Sequence, residues 1–414
     1  MAEPEIITLS NGIRVVHRPH STSRIVHCGI MLDIGSRDEE ASNQGIAHFW
    51  EHMAFKGTKT RNAFHILNRL ESVGGELNAF TDKEKIMFYA SVRNEHFRRA
   101  ADLLTDIAFH SVFPENQIKR ESQVILEEMS MYYDDPDGAL QDEFDSILFG
   151  RHPMGMNILG TRETVSSFRR PDFLRFVREN LDTRRIVFSV TGDLLESDLD
   201  WMMKKLLSGI RPRHSQRRRR PFRSYRAHEE VMVRPVKQAR CAIGRTAFNI
   251  LDERRVYLYF LNNILGGPGM NSRLNLSLRE KHGYVYSVGS QYIPFSDTGL
   301  FVVSFGTDPT KMDKALSAAR QELQRLVHSP MSPRQLSVAR EQFLGQMAMS
   351  EENHLGFMVM MARNVLDTSR VMSFEDICTR IRAATAADLQ QVAAEIFDTG
   401  QLSTLILEPE TAKV

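Results

Sequence analysis

The sequence predicts an α+β protein of two homologous domains, each with a mainly antiparallel sheet packed with helices. Its 414 residues exceed one ordinary domain, and two domains of about 200 residues are the natural division. The order strand, helix, helix, glycine, two strands, two helices occurs in residues 25–133 and again from residue 238, which makes Gly283 the counterpart of Gly75. An arginine-rich segment separates the copies. We therefore predict a domain at 1–210, a basic linker at 211–226 and a second domain at 227–414.

The first copy begins with strands rich in β-branched and apolar residues. Ser10-Asn11-Gly12 is a turn signal between the first two strands. Gly74-Gly75 ends the helix that precedes the next strand pair, because glycine is favoured just past a helix. The predicted strands are 6–9, 13–16, 25–32, 76–80, 86–92 and 185–191. The predicted helices, besides one around residue 50, are 63–72, 95–110, 115–133, 137–150 and 196–208.

The second copy follows the linker with the same kinds of element. Gly266-Gly267-Pro268-Gly269 stops its first helix, and Gly283 precedes a strand pair. The predicted strands are 238–246, 284–293, 299–306 and 403–407. The predicted helices are 252–265, 271–281, 309–327 and 332–350, with others towards 396. This copy has no counterpart of the histidine motif in the first copy, so we expect only the first copy to carry out chemistry.

The residues His48-Phe-Trp-Glu51-His52 read H-x-x-E-H, the inverse of the H-E-x-x-H zinc motif. On a helix the two histidines lie one turn apart on one face and can reach the same ion. Glu51 projects from nearly the same face and is a candidate base. A catalytic zinc site has three protein ligands and an open position, so a third ligand has to come from elsewhere in the chain.

Candidates for the third ligand lie on the predicted helix 115–133, which carries Glu121, Glu127 and Glu128. Glu121 and Glu128 are two turns apart on one face. Because Val124, Ile125 and Leu126 bury much of this helix, a carboxylate in it needs a partner or a metal. The alternative for each carboxylate is a solvated helix face, which composition alone favours.

The bulk composition excludes several classes of protein. With a formal net charge of +1, the protein has no overall positive charge that would attract nucleic acid or an anionic membrane surface. Three widely spaced cysteines form neither a disulfide framework nor a metal knuckle, which favours a reducing compartment. We find no signal peptide and no apolar run that spans a membrane, and we expect a cytoplasmic protein. The run Arg217–Arg220 is interpreted as solvated linker rather than as a nucleic-acid patch.

Three segments together resemble the pitrilysin/insulinase family of zinc metallopeptidases, and in particular the branch with mitochondrial processing peptidase and its bacterial relatives. They are Gly-Ser-Arg-Asp-Glu at 35–39, Gly-Ile-Ala-His-Phe-Trp-Glu-His-Met-Ala-Phe-Lys-Gly-Thr at 45–58 and Gly-Gly-Glu-Leu-Asn-Ala-Phe-Thr at 74–81. In the second copy, Leu-Arg-Glu-Lys-His-Gly-Tyr-Val-Tyr-Ser-Val at 278–288 is similar to the family's Arg…Tyr segment, although Tyr284 stands where relatives usually carry Leu.

The resemblance implies a role for each matching residue. His48, His52 and Glu128 would bind Zn²⁺, and Glu121 would orient a ligand histidine. Glu51 would be the general base, and Arg279 and Tyr286 would stabilise the substrate oxyanion. We expect the strand with Asn78 and Ala79 to bind the substrate by adding an extended peptide to its edge.

The resemblance implies a zinc metalloendopeptidase that hydrolyses peptides or unfolded segments inside a closed chamber. Relatives build the chamber from four such α+β units, so a dimer is expected. A homodimer suffices, since this chain has both the zinc motif and the Arg…Tyr segment, and a heterodimer with a paralogous subunit is the alternative. The competing class is a non-catalytic or partner-dependent subunit, against which the complete ligand set argues.

Overall fold

The computed structural model describes residues 3–410, apart from the side chain of Asp134. Strand pairs are separated by runs of helices, with short 3₁₀ and π-helical segments between some of the elements. The strands are β1 (Glu5–Thr8), β2 (Arg14–Pro19), β3 (Ile25–Leu32), β4 (Glu76–Thr81), β5 (Ile86–Arg93), β6 (Ile186–Gly192), β7 (Glu229–Arg234), β8 (Ala239–Ala247), β9 (Val285–Pro294), β10 (Gly299–Thr307) and β11 (Ser403–Pro409). The helices are α1 (Ile46–Ala54), α2 (Ala63–Glu71), α3 (Phe97–Phe109), α4 (Glu115–Asp134), α5 (Pro136–Phe149), α6 (Arg162–Ser167), α7 (Arg170–Asn180), α8 (Glu196–Trp201), α9 (Arg255–Gly266), α10 (Met312–His328), α11 (Pro333–Glu351), α12 (His354–Thr368), α13 (Phe374–Ala383) and α14 (Ala386–Ile396).

The chain forms two compact units, and each contains one sheet, which confirms the predicted α+β class. The first unit consists of the chain up to Met129, Met156–Arg220 and Met349–Ser373. The second unit consists of Ser130–Gly155, Pro221–Ala348 and the chain from Phe374 onward. The division into residues 1–210, 211–226 and 227–414 stays a prediction, because it describes continuous segments of sequence whereas each compact unit combines three separate segments.

The six strands of the first sheet have the order β1-β2-β6-β3-β5-β4, and only the β2–β6 pair is parallel. Alternate side chains of each strand face opposite sides of the sheet. On β3, Val26, Cys28 and Ile30 pack into a large core with α1 and α3. Met31 points the other way and packs against α12. Both faces of this sheet are therefore covered.

The five strands of the second sheet have the order β7-β11-β8-β10-β9, with one parallel pair, β7–β11. One face packs against α9, α10 and α14. The other face packs against α5, whose buried Leu140, Phe144 and Leu148 contact Leu405 and Leu407 in one cluster. The sequence did not predict β7, an edge strand whose side chains alternate between exposed and half-buried.

Each sheet takes one covering helix from the other half of the chain. Helix α5 precedes the linker but packs on the second sheet, while α12 follows the second sheet's first four strands but packs on the first sheet. Helix α12 contributes Met358, Met361, Ala362 and Val365, all fully buried. This exchange explains why neither compact unit is a continuous stretch of chain.

The interpretation of the basic run as solvated is wrong for Arg219. Its side chain is 10% exposed, and its guanidinium donates to both carboxylate oxygens of Asp38 at 3.0 and 2.8 Å and to Asp33 at 2.8 Å. Asp33 also accepts hydrogen bonds from Arg185 and Lys85. Arginine composition predicted exposure, but a guanidinium enters a buried site when carboxylates neutralise it. The linker is thereby anchored to the first unit.

Candidate metal centre

Helix α1 begins at a backbone position that requires glycine. Gly45 has φ of 92°, a left-handed conformation that side chains rarely adopt, and a Cβ there would lie 2.5 Å from the carbonyl oxygen of Leu159. The buried carboxylate of Glu39 accepts hydrogen bonds of 2.8 Å from the backbone N–H groups of Gly45 and Ala47. Burial raises the pKa of Glu39 to about 8, and these two backbone hydrogen bonds oppose the shift. Glu39 therefore fixes where the motif helix starts.

The motif histidines lie side by side on α1, as their spacing predicts. The ring centroids of His48 and His52 are 4.7 Å apart, with the rings inclined at 62°. Phe49 and Trp50, on the opposite side of the helix, are fully buried in the core of the first unit. Core packing thus orients α1 so that both imidazoles share one side.

Glu128 on α4 completes a three-residue cluster with the histidines. Its two carboxylate oxygens lie 3.7 Å from Nε2 of His48 and 3.5 Å from Nε2 of His52. The candidate ligand atoms all lie within 4.8 Å of one another. Within residues 3–410 this is the only group of three or more such side chains with metal-binding geometry.

Glu121 lies two turns before Glu128 on α4 and contacts the second histidine, His52. Nδ1 of His52 lies 3.3 Å from one oxygen of Glu121, and Lys56 Nζ donates to the other oxygen at 2.7 Å. Although burial opposes it, hydrogen bonds from His52 and Lys56 lower the pKa of Glu121. An ionised Glu121 accepts a hydrogen bond from the Nδ1–H group of His52. The proton then stays on Nδ1, and the unprotonated Nε2 faces Glu128.

Glu51 does not belong to the cluster of ligand atoms. Its Oε2 accepts a 2.6 Å hydrogen bond from the hydroxyl of Thr81 on β4. Burial raises the pKa of Glu51, and the Thr81 hydrogen bond and the nearby His52 partly offset this effect. A carboxyl with a raised pKa is better matched to proton transfer near neutral pH than an ordinary glutamate is.

Burial also determines the charge of the cluster itself. It lowers the pKa of His48 to about 3, reinforced by His52, so this imidazole is neutral and keeps a lone pair for a metal. Its Nδ1 is buried and has no hydrogen-bond partner among residues 3–410. Burial raises the pKa of Glu128, with His52 opposing the shift. A cation between these groups would compensate for the loss of solvation.

The three side chains fit zinc in both chemistry and spacing. Two imidazole nitrogens and one carboxylate oxygen are a ligand set of catalytic zinc sites. Ligands that each lie about 2.0–2.1 Å from a tetrahedral ion are about 3.4 Å from one another. The separations of 3.5 and 3.7 Å between Glu128 and the two Nε2 atoms are close to that value. The cluster can therefore bind a metal ion, and zinc is the ion it suits.

The predicted peptide-binding residues lie on β4, which forms an edge of the first sheet. Asn78 and Ala79 pair with Tyr89 and Phe88 of β5. Among the described residues no strand pairs with the other side of β4. Since the same strand holds Thr81, its open edge runs past the candidate base.

Arg279 and Tyr286 belong to the second unit. Both line a pocket of about 600 Å³ beside the loop Gly266–Gly269. Tyr286 is 84% exposed, so it is not a packed strand residue. Arg279 lies on the π-helical segment Asn275–Lys281, with 42% of its side chain exposed and only Glu280 as a near acidic partner among the described residues, at 3.6 Å.

Three residues that support the site were not predicted by position: Glu39, Thr81 and Lys56. All three fall within the segments that carry the family resemblance, and that was their only signal in the sequence. Their contacts depend on how loops and strands fold back on α1 and α4, which spacing along the chain does not reveal.

Comparison with known protein families agrees with the fold and the cluster. Residues 14–162 match the family described as insulinase (peptidase family M16), and residues 167–343 match the peptidase M16 inactive domain. A Bacillus subtilis relative named uncharacterized zinc protease YmxG is 32% identical over 94% of this chain and 95% of the relative. A Streptomyces coelicolor relative, also named an uncharacterized zinc protease, is 32% identical over 94% of this chain and 86% of the relative. The chain belongs to the insulinase (M16) peptidase family.

Solved structures show the same fold at lower sequence identity. A Helicobacter pylori protease superposes with a TM-score of 0.91 at 20% identity, covering 99% of this chain and 100% of the other. A Pseudomonas fluorescens structure described as a peptidase M16 inactive domain has a TM-score of 0.90 at 16% identity, covering 100% and 99%. Across residues 3–410, no helix combines the length and apolarity needed to cross a membrane.

Proposed function

We propose that this protein is a zinc-dependent endopeptidase that hydrolyses peptides or unfolded segments. The observation that carries the proposal is the convergence of His48, His52 and Glu128 beside Glu51. His48, His52 and Glu128 bind the ion, and Glu121 orients His52. When bound, zinc polarises the scissile carbonyl and lowers the pKa of water at its open position to about 7.

Glu51 moves the proton. Its carboxylate takes a proton from the attacking water and passes it to the nitrogen of the leaving amine. The Thr81 hydrogen bond to Oε2 fixes the carboxylate and leaves Oε1 for the proton. The raised pKa of Glu51 supports this role, because the group has to bind the proton and then release it within each turnover.

The edge of β4 positions the substrate. An extended peptide that pairs with Asn78 and Ala79 continues the first sheet by one strand. Such binding depends mainly on backbone hydrogen bonds and is tolerant of side-chain sequence. The open edge of β4 next to the Glu51 partner Thr81 supports this assignment.

Arg279 and Tyr286 stabilise the oxyanion that develops on the scissile carbonyl. Their support is twofold: the resemblance assigns them this role, and both side chains are exposed to a pocket rather than packed in a core. On the same resemblance, two chains would supply the four α+β units of a closed chamber, which would admit short or unfolded peptides. A processing peptidase that needs a paralogous subunit is the alternative form of this function.

A substitution of the base tests the proposal. In Glu51→Gln the amide cannot accept a proton, so turnover of a fluorescence-quenched peptide should fall by about 10²-fold or more. Zinc content, measured by atomic absorption, should remain one ion per chain because Glu51 is not a ligand. The exposed Glu71→Gln on α2 is the matched control and should behave as wild type.

Three results would count against the proposal. Retained turnover in Glu51→Gln would exclude Glu51 as the base. Wild-type turnover that a zinc chelator leaves intact would exclude metal-dependent hydrolysis. A zinc-loaded wild-type chain that is inactive alone but active with a paralogous chain would replace the homodimer with the partner-dependent form.

A further inference from the structure

A second cavity in the second unit has the composition of an anion site. Its volume is about 340 Å³, and it lies between the segment around Arg273 and the start of helix α11. Two arginines, a serine and several amide side chains line it, together with apolar residues, and no aspartate or glutamate does. Ligand pockets of this size combine apolar walls with a few convergent polar groups.

Arg273 is the half-buried cation of this cavity. Among residues 3–410 it has no hydrogen bond or ion pair. Burial lowers the pKa of its guanidinium, and the nearby Glu322 only partly offsets this shift. Glu322 itself is ion-paired with Arg325. Arg273 lines the cavity, and none of its nitrogens is both fully buried and without a hydrogen bond, so the guanidinium keeps contact with solvent. A partly desolvated guanidinium without an ion-pair partner donates strong hydrogen bonds to an anion.

Arg334 adds a second positive charge at the rim. It lies in the first turn of the 19-residue helix α11, is exposed, and has no ion-pair or hydrogen-bond partner in the described part of the chain. The helix N-terminus contributes a further partial positive charge. Ser272 offers a hydroxyl at the wall. Donors therefore approach the cavity from two separate elements.

We propose that this cavity binds a phosphate group, free or as a small phosphate ester. Guanidinium groups bind phosphate bidentately, and two of them match its charge of about −1.5 to −2 better than that of a single carboxylate. The apolar residues Leu276 and Val338 provide a surface for the carbon part of an ester. The assignment uses none of the metal-centre residues and stands independently of the peptidase function.

Calorimetric titration of the full-length zinc-loaded protein with inorganic phosphate, at constant ionic strength set with sodium chloride, tests the site. The wild type should bind one phosphate per chain. Arg273→Gln should weaken binding by about tenfold or more, since it removes charge-assisted hydrogen bonds. Arg334→Gln should also weaken it. The matched control Arg223→Gln, an exposed arginine of the same unit outside the cavity, should bind as wild type.

Glycerol phosphate in place of inorganic phosphate distinguishes the two sources of the group. Tighter binding of the ester would identify a phosphate ester as the ligand, with its carbon part against the apolar wall. Tighter binding of the free ion would identify inorganic phosphate as the ligand.

Absence of saturable binding by wild type up to about 10 mM phosphate would overturn the proposal. Equal affinity in Arg273→Gln and wild type would also overturn it, because the phosphate would then bind elsewhere, including at the metal centre. Should Arg273→Gln fail to fold, the exposed Arg334→Gln decides, and unchanged affinity in that variant rejects the site.

Discussion

The two motif histidines lie one turn apart on the same face of α1, but their environments differ. His48 is buried and neutral, and no described residue bonds its Nδ1. Nδ1 of His52 lies 3.3 Å from Glu121, and hydrogen bonds from His52 and Lys56 lower the pKa of that carboxyl although burial opposes the shift. A carboxylate that accepts the second ring proton fixes the tautomer and makes Nε2 a better ligand. Replacing Glu121 should therefore weaken zinc binding without removing a zinc ligand, so its effect can be distinguished from the loss of a ligand.

Glu121→Gln should lower zinc affinity by about 10–100-fold, because the amide is a weaker acceptor for the His52 Nδ1 proton than the carboxylate is. Competition with a chromogenic chelator measures this affinity. At saturating zinc, turnover should largely return. Glu127→Gln, an exposed change on the same helix, is the control. Unchanged zinc affinity in Glu121→Gln would show that the 3.3 Å contact does not orient His52.

At the residue scale, the sequence predicted which side chains lie together in the candidate cluster, but it did so unevenly. The i, i+4 spacing placed His48 and His52 together without further information. The choice among Glu121, Glu127 and Glu128 required the family resemblance, because all three carboxylates lie on one helix and the contact with α1 is long-range. The links from Glu39 to the start of α1 and from Thr81 to Glu51 depend on loop and strand placement, for which the residue pattern has no signal.

At the scale of elements, helix α12 is the notable departure from a simple duplicated arrangement. It covers the face of the first sheet opposite α1, although roughly 320 residues separate the end of β3 at Leu32 from its first residue, His354. Its contact side is rich in methionine, which adapts to irregular gaps. The first unit therefore depends on apolar contacts that form only when a distant segment returns.

Met361→Ala should destabilise the first unit by about 2–5 kcal/mol, because it removes a fully buried side chain and leaves a cavity against the sheet. Urea unfolding followed by circular dichroism measures the change. Met349→Ala, the same substitution at a side chain that is 68% exposed, should be close to neutral. Equal effects of the two substitutions would show that α12 does not stabilise this sheet.

Element order was largely predictable, whereas the partners of the elements were not. Apolar periodicity and glycine punctuation located β3, α2 and β10 within a few residues. Strand β7 was missed because it is short and starts with two glutamates, and its one partner, β11, lies far along the chain. The exchange of α5 and α12 was invisible, since an amphipathic helix shows that it has an apolar face but not which sheet that face covers.

At the scale of the whole molecule, the charged network around Asp33 links loop, strand and linker in the first unit. Despite burial, Lys85, Arg219 and Arg185 lower the pKa of Asp33 below its ordinary value. A carboxyl with a depressed folded-state pKa contributes stability that is present above its unfolded pKa of about 3.9 and lost as pH falls below it.

Asp33→Asn should cost about 3–5 kcal/mol at pH 7, because it leaves buried cations without their counter-charge. The gap in melting temperature between wild type and Asp33→Asn should narrow as pH is lowered below about 4, because Asp33 of the unfolded wild-type chain takes up a proton there while the native carboxylate stays ionised. Thermal scans from pH 3 to 7 measure it. A gap that stays constant over this range would contradict the charge origin of the effect.

The homodimer is a prediction at the scale of the whole molecule. Light scattering after size exclusion should give twice the chain mass of 47.4 kDa. Because two chains would supply the four units of the proposed chamber, dilution that separates them should reduce peptide turnover while zinc stays bound. A fully active species at the mass of one chain would rule out the dimeric chamber.

The return of α12 to the first sheet has a consequence for how the protein is made. On the ribosome, strands β1 to β6 emerge well before residues 349–373, so the first sheet waits with one apolar face uncovered while the second half is translated. Incomplete chains that end near the linker would expose Val16, Met31 and Val187. Such fragments should be clients of chaperones and prone to aggregation, and a separately expressed first unit would require its distant helix to be fused back to it.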